Sequence, residues 1–282
     1  MRFVTFRRAD GRTQPGVVEG DAVRPIATPT LLDYIALAPH ERIAWHAADE
    51  LLPLASVTLE APLRPSRNVF CVGRNYLEHA KEGARALGRE LKLPDVPTFF
   101  TKAPSAIAGP DATLHLQAEI SPEYDFEAEL AVVIGARCKN VSEADAMHVI
   151  FGYTALNDVT ARDVQRAHVQ WFKGKSLDDT APLGPWIVSA DEIGDPQALA
   201  IGFRLNGVQK QHSSTGNMIF HIPRLIAELS RGMTLEPGDV IATGTPEGVG
   251  FARTPPEFLR DGDVMEVEIE KIGVLRNRVA IG

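Results

Sequence analysis

The run Asp125-Phe126-Glu127-Ala128-Glu129-Leu130-Ala131-Val132-Val133-Ile134-Gly135 sets two carboxylates two residues apart at the head of an apolar stretch. Read as one strand, its period of two puts Phe126, Ala128, Leu130, Val132 and Ile134 on one face. Glu127 and Glu129 then share the other, with α-carbons ~6.6 Å apart. Neighbouring carboxylates repel, and on a half-buried strand a cation between them relieves the repulsion. A hard ion such as Mg²⁺ takes one or two carboxylates and completes its shell with water and substrate oxygens. The plain alternative is an edge strand whose glutamates face solvent. Asp158 offers a third oxygen donor. It follows the strand-like Tyr153-Thr154-Ala155-Leu156-Asn157 and opens a helix-like stretch. It is either the N-cap of that helix or, if the two strands are neighbours, the third member of a metal face.

A second constellation is Gly73-Arg74-Asn75-Tyr76-Leu77-Glu78-His79-Ala80-Lys81-Glu82. On a helix His79 and Glu82 are i and i+3 and share a face. A carboxylate on one imidazole nitrogen fixes the tautomer and makes the other nitrogen a better base. The competing reading is a chance pair on a solvated helix. His115 and His221, in Thr113-Leu114-His115-Leu116 and within an apolar helix at Phe220-His221-Ile222, read as structural.

The elements that must hold these groups are mostly strands. Residues 1–65 read as a small unit: a hairpin around Glu19-Gly20-Asp21, a helix over Leu31–Leu37 capped by Thr30, a second helix over Glu41–Leu52, and a connector from Pro53 to Pro65. Residues 66–282 read as strands with short helices between. The strands are Val69–Val72, Phe99–Lys102, Asp125–Gly135, Asp239–Thr243 and Asp263–Glu270, with a hairpin at Asn206-Gly207. The helices are Tyr76–Arg89, Ser142–Val149 and Met218–Arg231, the last ended by Gly232. Strands and long helices do not alternate regularly, so a doubly wound parallel sheet is excluded and a β-rich α+β fold is expected.

Composition narrows the partners. The 282 residues carry 29 Lys and Arg against 37 Asp and Glu, a formal charge of −8, which argues against a nucleic-acid or anionic-membrane binder. Two cysteines, Cys71 and Cys138, make neither a disulfide framework nor an all-protein zinc cage. The N-terminus lacks a secretory apolar core and no apolar run is long enough for a bilayer, so a cytoplasmic protein is expected. Gly174-Lys175-Ser176 lacks the earlier glycine of a phosphate loop, where Val169 stands, and Asp178 denies Ser176 a nucleophile elbow. Gly248-Val249-Gly250 follows no βαβ pattern.

In order along the chain, Val72-Gly73-Arg74-Asn75-Tyr76 with His79 and Glu82, Glu127-Ala128-Glu129-Leu130-Ala131-Val132-Val133-Ile134-Gly135, Asn157-Asp158 with Arg162, Asp163 and Gln165, Gly174-Lys175-Ser176, Gly184-Pro185-Trp186 and Ala242-Thr243-Gly244-Thr245-Pro246 resemble the fumarylacetoacetate hydrolase family. The resemblance runs from about Arg67 to the C-terminus. It implies a mixed β-roll catalytic domain, in a homodimer, holding one Mg²⁺ or Mn²⁺ per chain on Glu127, Glu129 and Asp158, with His79 and Glu82 as a catalytic dyad. Larger relatives supply a fourth carboxylate seven residues before the histidine; Val72 stands there, which places the chain among the smaller acylpyruvase-like members. The N-terminal unit resembles the small appended domain of longer bacterial members and is assigned no chemistry.

The implied substrate is a small keto acid. In a 2,4-diketo acid, His79 oriented by Glu82 would activate a water against the 4-keto carbon, and Lys175 would stabilise the oxyanion. C–C cleavage would then give pyruvate and a carboxylic acid. Gln165, Arg162, Lys175 and Thr245 are candidates for holding substrate oxygens; Arg162 equally reads as an ion-pair partner of Asp158 or Asp163. Decarboxylation of an oxaloacetate-like acid is the alternative within the family. A keto-acid binding protein without turnover is the alternative outside it, and would need no base.

Overall fold

The computed structural model describes residues 1–43 and 50–282. Its organising element is the strand Ala128–Ile134, which pairs antiparallel with Ile150–Asn157 on one side and Val240–Ala242 on the other. It is an interior strand with both faces buried. Leu130, Val132 and Ile134 enter one core and Ala131 and Val133 another. The period of two therefore separates two cores rather than a core from water, and the solvent-facing reading of the glutamates fails.

The expected single strand over Asp125–Gly135 is broken. Tyr124–Asp125 pairs instead with Thr160–Ala161, and Glu127 lies in the gap before Ala128. Backbone partners define that gap: the Glu127 N–H donates to Asn157 Oδ1 at 3.0 Å, and the Glu127 carbonyl accepts from the Asp158 N–H at 2.8 Å. The break costs no hydrogen bond and locks Glu127 beside Asp158.

The central strand lies in a sheet of twelve strands among the described residues. From it the sheet continues through Val240–Ala242 to Val69–Gly73, which pairs parallel with Val240–Ala242, and then to Thr98–Lys102. In the other direction it passes through Ile150–Asn157 and Ala181–Ser189 to Arg2–Arg7 and the N-terminal hairpin. A second sheet contains Val208–Ser214, Ala200–Leu205, Val264–Ile269, Gly273–Ile281 and Thr113–Leu116. The two sheets share a core in which Phe126 stacks on Phe203 at 4.2 Å, closed by Leu225, Ile226 and Leu229 of the helix Ile222–Ser230. This is the mixed β-roll with few helices.

The first sixty residues join the large sheet through Phe3 opposite Ile187. Phe3, Leu31, Tyr34 and Ile35 pack in the same core as Ala131 and Val133. Thr30 caps the helix Leu31–Ala36 as expected, with a reciprocal bond from Asp33. Several finer expectations change. The second helix is Pro39–Ile43; part of its expected span lies outside the described residues, and Leu52–Pro53 is a strand. The Pro53–Pro65 connector contains the strand Thr58–Glu60, paired with Arg2–Arg7. Only a 3₁₀ turn, Ala146–Val149, forms within Ser142–Val149. The helix expected from Met218 begins at Ile222, where Pro223 in the first turn sets its start, so His221 is an exposed N-cap residue. Among the described residues no helix is long and apolar enough to cross a membrane.

Candidate active site

The start of one strand and the end of its neighbour meet at one buried cluster. Glu129 comes from the central strand, Glu127 from the break before it, and Asp158 from the residue after Ile150–Asn157. Their carboxylate oxygens lie within 4.8 Å of one another, and all three side chains are buried. The N-cap reading of Asp158 fails, because Ala161 precedes the helix Arg162–Ala167. Asp158 is held instead by two buried lysines: Lys102 Nζ donates to Oδ1 and Lys175 Nζ to Oδ2, each at 2.7 Å. Lys175 also donates to Glu127 Oε2 at 2.8 Å.

Arg162 forms a buried ion pair, with other partners than expected, and also lines the cavity. It donates to Asp125 Oδ2 at 2.9 Å and lies 2.6 Å from Glu127 Oε1, over the Phe251 ring. The expected Asp163 accepts instead from the Ser121 hydroxyl. Sequence reading missed Lys102 and Asp125. Lys102 stands in an apolar-looking strand and Asp125 at the edge of the carboxylate run; neither position has a periodicity that marks it as buried and paired.

Charge within the cluster does not balance. Four carboxylates, Asp125, Glu127, Glu129 and Asp158, face three cations, Lys102, Arg162 and Lys175. Glu129 is the one with no cationic partner among the described residues; its Oε2 accepts only from the Gly244 N–H, at 2.8 Å. A side chain at Gly244 would press on Asn75 and on the Val72 carbonyl, so only glycine lets that N–H approach. Burial pushes the Glu129 carboxyl well above the ordinary range, and the nearby Asp158 and Glu127 push it further. Burial alone would also raise Glu127, but Lys175 and Arg162 outweigh it and bring that group down to about 2. Three buried hard oxygen donors with one uncompensated charge fit a divalent cation such as Mg²⁺ or Mn²⁺.

The helix Leu77–Ala86 brings the second constellation to the same place. His79 Nδ1 lies 2.9 Å from Glu82 Oε1, and Glu82 accepts from the Gly248 N–H through both oxygens at 3.1 and 2.9 Å. A carboxylate that only accepts makes Nδ1 the donor and leaves Nε2 as the free base. His79, Glu127, Glu129, Arg162, Gln165, Lys175 and Thr245 line one cavity of about 510 Å³, so the structure gathers the expected groups except Glu82 and Asp158, which stand behind its wall. Gln165 Oε1 accepts from Arg162 Nη1 at 3.3 Å, and Thr245 Oγ1 accepts from Gln211 at 2.8 Å.

The segment expected as a weakly held lid, Arg74–Pro97, is held unevenly. Asn75 and Tyr76 are buried, and the Asn75 amide bonds the carbonyls of Phe220 and Thr243. Gly88 does not interrupt the helix; it ends it, at φ 60°. Beyond it Leu91, Leu93 and Val96 are exposed.

The comparisons place this β-roll, with its buried three-carboxylate cluster beside a histidine–glutamate pair, in a known family. The family model "Fumarylacetoacetate (FAA) hydrolase C-terminal" matches residues 68–280, and "Rv2993c-like, N-terminal" matches 1–62. The chain belongs to the fumarylacetoacetate hydrolase family. It is 47% identical to oxaloacetate tautomerase YisK of Bacillus subtilis over 227 residues, covering 80% of this chain and 74% of that one. Among solved structures it resembles a fumarylacetoacetate hydrolase from psychrophilic Exiguobacterium antarcticum, at TM-score 0.84 and 40% identity over all of both chains. It also resembles a maleylpyruvate hydrolase from Sphingobium sp. SYK-6, at TM-score 0.80 and 32% identity over all of both chains.

Proposed function

We propose that this chain catalyses proton transfer at the carbon next to the keto group of a small 2-keto acid, interconverting enol and keto forms of an oxaloacetate-like substrate. The observation that carries the reading is the dyad: Glu82, pinned by Gly248, holds Nδ1 of His79, a residue that lines the same cavity as Glu127 and Glu129, so Nε2 is left to act as the base. The 47% identity to an oxaloacetate tautomerase supports the same reaction. It replaces the expectation of acylpyruvate hydrolysis as the first reading.

Glu127, Glu129 and Asp158 would hold the divalent ion, Mg²⁺ or Mn²⁺, one per chain. When bound it supplies a Lewis acid for the keto acid's carboxylate and 2-keto oxygen. In the enol-to-keto direction the 2-oxygen gives up a proton and C3 gains one, with the reverse on enolisation; His79 would carry the proton between these two atoms, and Glu82 keeps the ring oriented. Lys175 uses two of its three N–H donors on Glu127 and Asp158, and the third is available to the oxygen on which enolate charge grows. Gln165 and Thr245 hold substrate oxygens. Arg162, tied to Asp125 and Glu127, shapes the ligand set rather than binding substrate. The same dyad could activate a water, so C–C hydrolysis of a 2,4-diketo acid is the second reading; the identity to two proteins named hydrolases favours it. The protein is further proposed to act as a homodimer, which light scattering against the 30.7 kDa chain mass tests.

The deciding experiment follows loss of enol absorbance from freshly dissolved oxaloacetate with Mg²⁺ or Mn²⁺, in parallel with pyruvate release from acylpyruvates. Acceleration of the first above the protein-free rate, lost in H79A, supports tautomerisation. Pyruvate release without such acceleration would replace it with hydrolysis.

A further inference from the structure

We propose that Arg74 is the specificity-determining residue of this site: a fixed receptor for a second carboxylate, which makes the preferred keto acid a dicarboxylate. The inference deepens the proposed function and rests on that reading for the position of the first carboxylate. Arg74 is the residue between the strand Val69–Gly73 and the segment leading to the dyad's helix. Its φ is 56°, a left-handed conformation that costs a non-glycine residue energy and persists only where its surroundings impose it.

Those surroundings are visible on both sides. Asn75 is clamped by bonds to Phe220 and Thr243. Gly73 lies so close to Trp171 that a β-carbon there would meet the indole at 2.4 Å. The Arg74 guanidinium rests over the same indole, 5.7 Å from its centroid. Trp171 meets Phe100 edge-on at 5.3 Å, and Lys175 Nζ lies 5.2 Å from the Phe100 ring. Cation, indole, phenyl and cation thus form a continuous line of contacts that ends at the lysine bridging Glu127 and Asp158.

What this line presents is an uncompensated positive charge. Arg74 has no acidic partner among the described residues, whereas Arg162 and Lys175, which line the same cavity, are each paired with two carboxylates. A planar guanidinium fixed by stacking is suited to a carboxylate, because it binds through paired N–H donors and loses little freedom on doing so. Arg89 and Lys92 also line the cavity and, like Arg74, are exposed, but among the described residues neither has an aromatic ring to rest on. The left-handed backbone that these neighbours impose leaves Arg74 lining the cavity, at a position where glycine or asparagine would cost less.

The test uses two non-enolisable ligands that differ only in the far group, 3,3-dimethyl-2-oxosuccinate and 3,3-dimethyl-2-oxobutanoate. Their affinities for the Mg²⁺-loaded protein are measured by calorimetry in the wild type, R74N and R74K. Asparagine tolerates the left-handed backbone, so R74N should fold and melt no lower than the wild type. The dicarboxylate should bind the wild type more tightly than the monoacid. R74N should reduce that preference about tenfold, and R74K should keep part of it. In turnover of enol oxaloacetate, R74N should raise KM by a similar factor while kcat changes little, the pattern of lost uniform binding. A wild-type preference that survives R74N, or no preference in the wild type, overturns the inference. Loss of preference in R74N by a wild type that turns over no oxaloacetate would retain Arg74 as the receptor and reject tautomerisation.

Discussion

The carboxylate cluster and the dyad face the same cavity, but the molecule holds them in different ways. Glu127, Glu129 and Asp158 issue from interior strands with cores on both sides, and each oxygen partner is itself buried. The dyad stands on a ten-residue helix whose one buried side chain is Ala80, tied down by Glu82 to Gly248 and by the chain entering at Asn75 and Tyr76. A metal site needs its donors fixed before the ion arrives, whereas a base needs only to meet its substrate. The difference in support therefore follows the difference in task, and it gives each region its own response to mutation.

The largest effects on stability belong to the cluster. Lys102 is completely buried and donates to Asp158 and to the Val159 carbonyl. K102M leaves an uncompensated buried charge and should cost about 3–5 kcal/mol in chemical denaturation, as breaking a buried pair does. Little change would show that the cluster does not depend on its own charge pairing. E129Q is the informative contrast within the same cluster. It removes the one carboxylate that has no cation, so the metal-free protein should melt no lower than the wild type, while stabilisation by added Mg²⁺ or Mn²⁺ disappears. Equal stabilisation of both proteins by the ion would separate Glu129 from the metal.

Changes in the dyad should leave stability alone and reach the chemistry. H79A is expected to lower proton-transfer turnover by about 10²–10⁴, with the ion's affinity unchanged, because His79 donates to no ligand carboxylate. Loss of metal binding in H79A would mean that the two regions are not independent. The smallest effect concerns the exposed stretch after Gly88. Amide exchange over residues 87–97 should slow when oxalate and Mg²⁺ are added, while amides of Ala128–Ile134 stay as they were. Unchanged exchange in the outer stretch would mean that no ligand orders it.

How legible each region was follows from the same contrast. The dyad is a local feature: a spacing of three on a helix brings His79 to Glu82 wherever that helix sits. The face shared by Glu127 and Glu129 was visible for a similar reason, though its setting was misjudged. Nothing in the run tells an edge strand from an interior one, because its neighbours Ile150–Asn157 and Val240–Ala242 begin 16 and 106 residues after Ile134. The break at Glu127 was hidden because it depends on the Asn157 side chain replacing a strand partner. Lys102 and Asp125 were passed over since a charged residue in a strand ordinarily points to water, and only the fold shows that each meets an opposite charge inside. The last long strand, Gly273–Ile281, was missed; its partners are Val264–Ile269 and the distant Thr113–Leu116.

Glu127, Glu129 and Asp158 are proposed together to form one divalent-cation site. Titration of Mn²⁺ into metal-stripped protein, read by calorimetry and by the ion's electron paramagnetic resonance signal, tests it directly. The account predicts one site per chain in the wild type and in H79A, and no saturable site in E129Q, with the circular dichroism of all three superimposable. Saturable binding to E129Q at wild-type affinity, or no binding to the wild type, would contradict it.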